Sequence, residues 1–240
     1  MLAIETHNLT KKYKDKVAVN NLNLSIKKKE LFALLGTNGA GKTTTIKMLS
    51  SIILPTSGEI IINDLDLSKN KQKIKEILNV SPQETAIAPN LTVLENLEFM
   101  AGVYEIKDKK KKIEELIKLF KLESILKQKA KTLSGGWQRK VSIAISLIND
   151  PKILFLDEPT LGLDVIARKE LWNIINDLKK EKTIILTTHY MEEAESLADR
   201  IGIMANGTLV DVGTSKELKE HAKVDKFEDA FIKIATGGEL

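Results

Sequence analysis

Cysteine is missing from the 240-residue chain. Disulfides, thiol nucleophiles and zinc–thiolate centres are therefore excluded from its chemistry. Long apolar runs are missing too. The longest, such as 153–156 and 184–186, fall far below the ~20 residues that span a bilayer and have the length of buried strands. Residues 1–10 carry no positive segment ahead of an apolar core, so no signal peptide is read there. The expectation is a soluble, cytoplasmic chain that reaches a membrane only by docking onto another chain. Histidines are few, and His7, His189 and His221 are too dispersed to suggest a metal cluster. Arginine is scarce: only Arg139, Arg168 and Arg200 stand among 37 basic residues. Sequence-specific readers of nucleic acid favour arginine, whose planar fork pairs bidentately with bases and phosphates. The net charge of +4 is thus weak reason to expect nucleic acid as a specific partner. The densest basic run, 107–112 with Asp108 inside it, reads as a solvated helix start, with an anionic lipid or acidic partner as its alternative.

What is present is ordinary globular composition, 42% hydrophobic and 29% charged. The length fits one large α/β domain, or a core with one inserted lobe. Residues 2–8 and 17–26 read as a strand pair, with Val17, Val19, Leu22, Leu24 and Ile26 apolar at mostly two-residue spacing. That pair predicts a small antiparallel sheet. Residues 31–35 read as a fully buried strand, 36–41 as a loop, 42–51 as a helix and 59–62 as another strand. From about 83 to 149 helical periodicity takes over. Thr92 with Glu95 is a capping-box pattern, and Ile113, Leu116, Ile117 and Phe120 lie at helical spacing. Strands resume at 153–156 and 183–187. Asn206-Gly207, between 201–204 and 208–212, is a hairpin signal, and 227–234 reads as a last helix. The expected fold is α/β, a mostly parallel sheet with an N-terminal antiparallel subdomain and an inserted α-helical lobe. The expected division is a catalytic core of 1–82 and 150–240 with a lobe of 83–149.

Gly36, Thr37, Asn38, Gly39, Ala40, Gly41, Lys42 and Thr43 fit G-x-x-x-x-G-K-[ST], the P-loop pattern. Glycines let successive backbone N–H groups curl toward one anion, and the helix that follows aims its positive end at the same place. Lys42 supplies a mobile charge for β- and γ-phosphates, and the Thr43 hydroxyl reaches Mg²⁺. Thr44 continues the cradle into the helix. The apolar strand at 153–156 ends abruptly in Asp157 and Glu158, then Pro159. Ligands bind at the carboxyl ends of strands in open α/β sheets. Asp157 is placed to hold Mg²⁺, directly or through water, and Glu158 to take a proton from attacking water. Alone, Asp-Glu after a strand is a common turn start; the P-loop beside it favours chemistry.

Leu133-Ser134-Gly135-Gly136-Trp137-Gln138-Arg139, just upstream of the carboxylate strand, resembles the signature sequence of the ATP-binding cassette (ABC) family. Ser134 reads as a helix N-cap and the glycines expose N–H groups, so Ser134, Gly135 and Gly136 form a second anion cradle. It has no Gly-Lys-Thr of its own. The resemblance runs from Tyr13 to the hairpin after His189. It implies a P-loop NTPase core binding ATP and Mg²⁺, and a homodimer in which each signature closes on the ATP of the other copy. It also implies that Gln83 senses Mg²⁺ and water and links to a permease, and that His189 contacts the γ-phosphate. Asp164 then crosses the dimer interface, and Tyr13 stacks on adenine, although a tyrosine after two lysines also fits plain surface packing. Trp137 replaces the usual glutamine and Leu161 a small residue; neither change removes a phosphate ligand. Residues 91–97 and 227–231 are similar to the branch whose separate ATPases drive exporters of drugs, lipids, polysaccharide or sodium.

The function so implied is Mg-dependent ATP hydrolysis that drives transport, by a subunit peripheral to the inner face of the cell membrane. A soluble ABC ATPase in cofactor assembly, translation or DNA repair is the alternative. A P-loop kinase is a further one, but it gives no reason for 133–136 or His189.

Overall fold

Strands with no polar face must be covered on both sides, and this chain builds its centre from three of them. The computed structural model describes residues 1–238. Its strands are β1 (Leu2–Tyr13), β2 (Lys16–Lys27), β3 (Leu31–Gly36), β4 (Ser57–Ile62), β5 (Leu65–Asp66), β6 (Leu78–Ser81), β7 (Ile153–Asp157), β8 (Thr183–Thr188), β9 (Arg200–Ala205) and β10 (Thr208–Gly213). Its α-helices are α1 (Lys42–Leu49), α2 (Lys71–Ile77), α3 (Val93–Val103), α4 (Lys109–Phe120), α5 (Gly135–Ser146), α6 (Val165–Leu178), α7 (Met191–Leu197), α8 (Ser215–Ala222) and α9 (Phe227–Ala235). Every residue of β3, β7 and β8 is buried.

Six strands form the main sheet in the order β10-β9-β3-β8-β7-β6. All its pairings are parallel except β9 with β10. Side chains alternate across it, as a period of two requires. Leu31, Ala33 and Leu35 of β3 join one core with Leu154, Leu156, Ile184 and Leu186, under the helices of residues 93–146. Phe32 and Leu34 join the other with Phe155 and Ile185, against α1 and the second sheet. That second sheet is antiparallel, in the order β2-β1-β4-β5. The α/β class read from the sequence is the observed one. β1 and β2 are longer than the alternation in 2–8 and 17–26 indicated, and they carry the hairpin out to Tyr13 and Lys16.

One small device holds the P-loop neighbourhood and another the antiparallel sheet. Asn206 and Gly207, both at positive φ, turn β9 into β10. The Gly207 N–H donates to Ala40 O at 3.1 Å, and its carbonyl accepts from Asn20 N at 2.8 Å. In the β1–β2 pair the register slips between Thr6 and Leu9. The buried Thr6 hydroxyl bridges the slip, donating to Leu22 O and accepting from Leu24 N, both at 2.9 Å. Thr6→Val keeps the shape and strands both backbone groups. At roughly 1–3 kcal/mol per unsatisfied group, we expect a loss of about 2–4 kcal/mol in urea unfolding, and near-wild-type stability for Thr6→Ser.

Candidate nucleotide-binding site

The sheet order does the first part of the work. β3, β8, β7 and β6 are neighbours and parallel, so the segments after them emerge side by side at one edge. After β3 comes the loop that leads to Lys42, after β8 His189, after β7 Glu158, and after β6 Gln83.

The loop is shaped by close approaches. A Cβ on Gly36 would lie 2.5 Å from Met204 O. Gly41 has φ +103°, and a Cβ there would meet Ala18 O at 2.6 Å. Only glycine suits either place. α1 begins at the next residue, so its first-turn N–H groups, which have no partner within the helix, face the loop. The Lys42 ammonium is 6% exposed and is held over the loop by Gly36 O at 2.7 Å and Thr37 O at 3.3 Å.

Asp157 is buried at the end of β7. Its Oδ1 accepts from Thr43 Oγ1 at 3.1 Å and from Thr187 Oγ1. Its carboxylate makes no direct ion pair with a lysine or arginine among the described residues. A buried carboxylate with no cation in direct contact, next to a hydroxyl, leaves hard oxygen donors open to one. Mg²⁺ takes such sites, one or two carboxylates plus substrate phosphates and water, so the residues present fit that ion. Glu158 sits in the left-handed region at φ +49°. Its N–H donates to both Thr187 O and Thr187 Oγ1 at 3.1 Å. Its Oε1 lies 3.3 Å from Lys42 Nζ, and its Oε2 pairs with His189 Nδ1 at 2.7 Å. Beneath, in α7, Glu193 is fully buried and takes a hydrogen bond from Trp172 Nε1 at 3.1 Å. Burial pushes its carboxyl above the usual range.

A cavity of about 590 Å³ collects Tyr13, residues 38–44, Gln83, Glu158 and His189. Tyr13 stands half-exposed at its rim. Gly36 and Asp157 are buried and Thr37 is exposed, and none of the three lines the cavity. Ser134, Gly136 and Asp164 line a separate cavity of about 350 Å³ with Trp137 and Lys140. Ser134 is the N-cap residue of α5, but its side chain makes no cap bond. Asp164 caps α6, accepting from Ile166 N and Ala167 N at 2.9 Å. Lys140 Nζ lies 4.5 Å from the Trp137 ring centroid and 2.6 Å from Glu170. The sequence-predicted residues thus fall into two groups, and one chain does not bring them together.

Sequence reasoning passed over Lys16 and Ala18 in the first cavity wall and Thr187 beside Asp157; it named Leu161 and Arg139 without giving either a place in the site. Thr187 had a signal, standing two residues before His189. Arg139 had one also, being one of three arginines and three residues after Gly136.

A model of the ABC transporter family matches residues 19–161. The chain is 39% identical over 239 residues to "Probable multidrug ABC transporter ATP-binding protein YbhF" of Escherichia coli, covering 96% of this chain and 41% of that protein. It therefore spans about two-fifths of the length of that relative. It is 38% identical over 218 residues to "Linearmycin resistance ATP-binding protein LnrL" of Bacillus subtilis, covering 90% of this chain and 70% of that protein. Among solved structures, the dimeric cassette MJ0796 in a post-hydrolysis state with ADP and Pi superposes with a TM-score of 0.80 at 28% identity, over 88% of this chain and 98% of that one. The P-loop, the paired carboxylates and the family match agree: the chain belongs to the ABC transporter family.

Proposed function

We propose that this chain is the ATP-binding and hydrolysing subunit of an ABC transporter, working as a homodimer and exporting its cargo. The observation that carries the reading is the meeting of Lys42, Thr43, Glu158 and His189 around one cavity, with Asp157 just behind it. Residues 36–44 cradle the phosphates of ATP, and Tyr13 takes the adenine at the rim. Lys42 leaves its carbonyl partners and Glu158 for the incoming phosphates. Glu158 then accepts the proton of a water that attacks the γ-phosphorus as the bond to ADP breaks. His189 holds the carboxylate in place through Oε2. Thr43 and Asp157, with Gln83 at the cavity wall, are the residues that would hold Mg²⁺, which when bound offsets phosphate charge.

The separate signature cavity supports a second copy. Ser134, Gly135 and Gly136 present a free hydroxyl and a helix start to the outside, not to the chain's own P-loop. Val165 and Ile166, next to Asp164 in sequence, are 57% and 73% exposed, and Leu161 on the wall of the first cavity is 41% exposed, apolar surface suited to a self-complementary contact around Asp164. No helix among the described residues is long and apolar enough to cross a membrane. Transport then requires permease subunits, with this chain peripheral on the inner membrane face. The lobe 83–149 would pass motion near Gln83 to them from the core of 1–82 and 150–240. The names of YbhF, a probable multidrug transporter protein, and LnrL, a resistance protein, favour export of drug-like cargo over a soluble ABC role in cofactor assembly, translation or DNA repair.

Glu158→Gln is expected to bind ATP, lose about 10²–10⁴ in hydrolysis rate and run as a dimer on size exclusion with ATP. Normal turnover would remove Glu158 from the role of base. Gly41→Ala forces a side chain into the left-handed region, a strain of about 1–3 kcal/mol. Titration with a fluorescent ATP analogue should show affinity weakened roughly tenfold or more; unchanged affinity contradicts the cradle. The transport reading is tested by isolating tagged Glu158→Gln with ATP from detergent-solubilised membranes. Recovery of a multi-spanning protein is expected, and recovery of soluble proteins alone would favour the soluble alternative.

A further inference from the structure

Under the Glu158 turn lies a guanidinium that the proposed chemistry does not yet use. Arg139, on α5, is 4% exposed. Its Nε donates to Pro159 O at 2.9 Å, and one terminal nitrogen donates to Asp157 O. The other terminal nitrogen donates to Pro82 O and, at 3.2 Å, to Gln83 O. No carboxylate forms an ion pair with it among the described residues. Burial pulls its pKa down to about 10, so it remains charged at neutral pH. The carboxylates of Asp157, Glu193 and Glu158 offset part of that burial without touching the guanidinium, and its direct hydrogen-bond partners are all carbonyl oxygens; such a buried cation is costly to keep, and lysine supplies nearly all the other basic positions of this chain.

The identity of the four carbonyls suggests what the cation is for. Asp157 O and Pro159 O flank Glu158, the residue held at φ +49°. A residue with a Cβ stays in that region only if its surroundings hold it there. Pro82 O and Gln83 O belong to the segment that leaves β6 for the cavity. β6 and β7 are in register up to Ser81 and Leu156. Beyond that pair the two segments part, and no backbone hydrogen bond joins 82–83 to 157–159. Arg139 spans the gap from the helix that begins at the signature glycines. A lysine could not replace it, because three donors on one point cannot reach four carbonyls spread along a planar fork.

We propose that Arg139 is a positioning residue that clamps the Glu158 turn and ties the Gln83 segment to it, making signature helix, base and Gln83 loop one mechanical unit. This rests on the reading of Glu158 as the base. The purified full chain is compared as wild type, Arg139→Lys, Arg139→Gln, Glu158→Gln and Arg139→Lys/Glu158→Gln, with kcat and KM for ATP, ATP-analogue affinity and melting temperature measured for each. Arg139→Gln keeps a planar two-donor amide and serves if the lysine variant does not fold. A mispositioned base should cost about 10²-fold in kcat, with KM and affinity near wild type. In the Glu158→Gln background the same change should cost little more, since the group being positioned is already gone. A wild-type kcat in both Arg139 variants while Glu158→Gln is slow overturns this proposal alone. So does a loss that is fully additive with Glu158→Gln, or one that tracks melting temperature and affinity, because that is what a merely structural residue would give. A wild-type rate in Glu158→Gln overturns the base reading and this proposal together.

Discussion

Parallel pairing of β3 with β8 and of β8 with β7 sets Leu35 opposite Thr188 and Thr187 opposite Asp157. Everything polar in the first cavity hangs from that register. A one-residue slip of a strand exchanges its two faces. It would turn Leu154 and Leu156 away from the core under the helices, and Asp157 away from Thr43. Because each of the three strands is buried on both faces, such a slip is opposed at every residue. The rigid apolar layer is therefore what fixes the distances among Lys42, Asp157, Glu158 and His189. Their own hydrogen bonds fine-tune an arrangement that the sheet has already imposed.

The polar cluster inside this frame is held in a charged, low-exposure arrangement that has somewhere to go. Lys42 and Glu158 form an ion pair with side chains 6% and 7% exposed. Buried pairs of this kind contribute little to stability once desolvation is counted, yet losing one partner leaves a charge uncompensated. An arriving phosphate changes the balance, because it offers Lys42 a stronger partner and releases the Glu158 carboxylate. The Asp157 carboxylate forms no such ion pair among the described residues. The two adjacent carboxylates thus differ by environment, one tied to a lysine and a histidine and the other to hydroxyls alone.

Much of this was legible in the sequence, and the boundary has a physical reason. The P-loop and the Asp157-Glu158 pair are contiguous because their chemistry uses neighbouring atoms, so a linear reading finds them. The α/β class followed from the runs at 31–35, 153–156 and 183–187, which are too apolar for any half-wet strand. β6 was not legible: Leu-Asn-Val-Ser is short, half polar, and a strand only because β7 lies beside it. The cap at Ser134 was readable as a position, but not that its hydroxyl would stay unbonded. Arg139 was readable as a rare arginine, but its role was not, since its partners lie 18 to 57 residues away and are all carbonyls, which carry no sequence signal.

The β9–β10 hairpin has a consequence for anyone altering this protein. Hairpin tips are ordinarily where insertions, affinity tags and reporter domains are accepted. Here Gly207 is buried, and its peptide joins Ala40 of the P-loop to Asn20 of the antiparallel sheet. A Cβ at Gly207 would already sit 2.9 Å from Ala18 O. What looks like an open engineering site is the pin of a hinge between the two sheets, and lengthening it would loosen the phosphate loop from behind, in a place no inspection of the nucleotide cavity would flag.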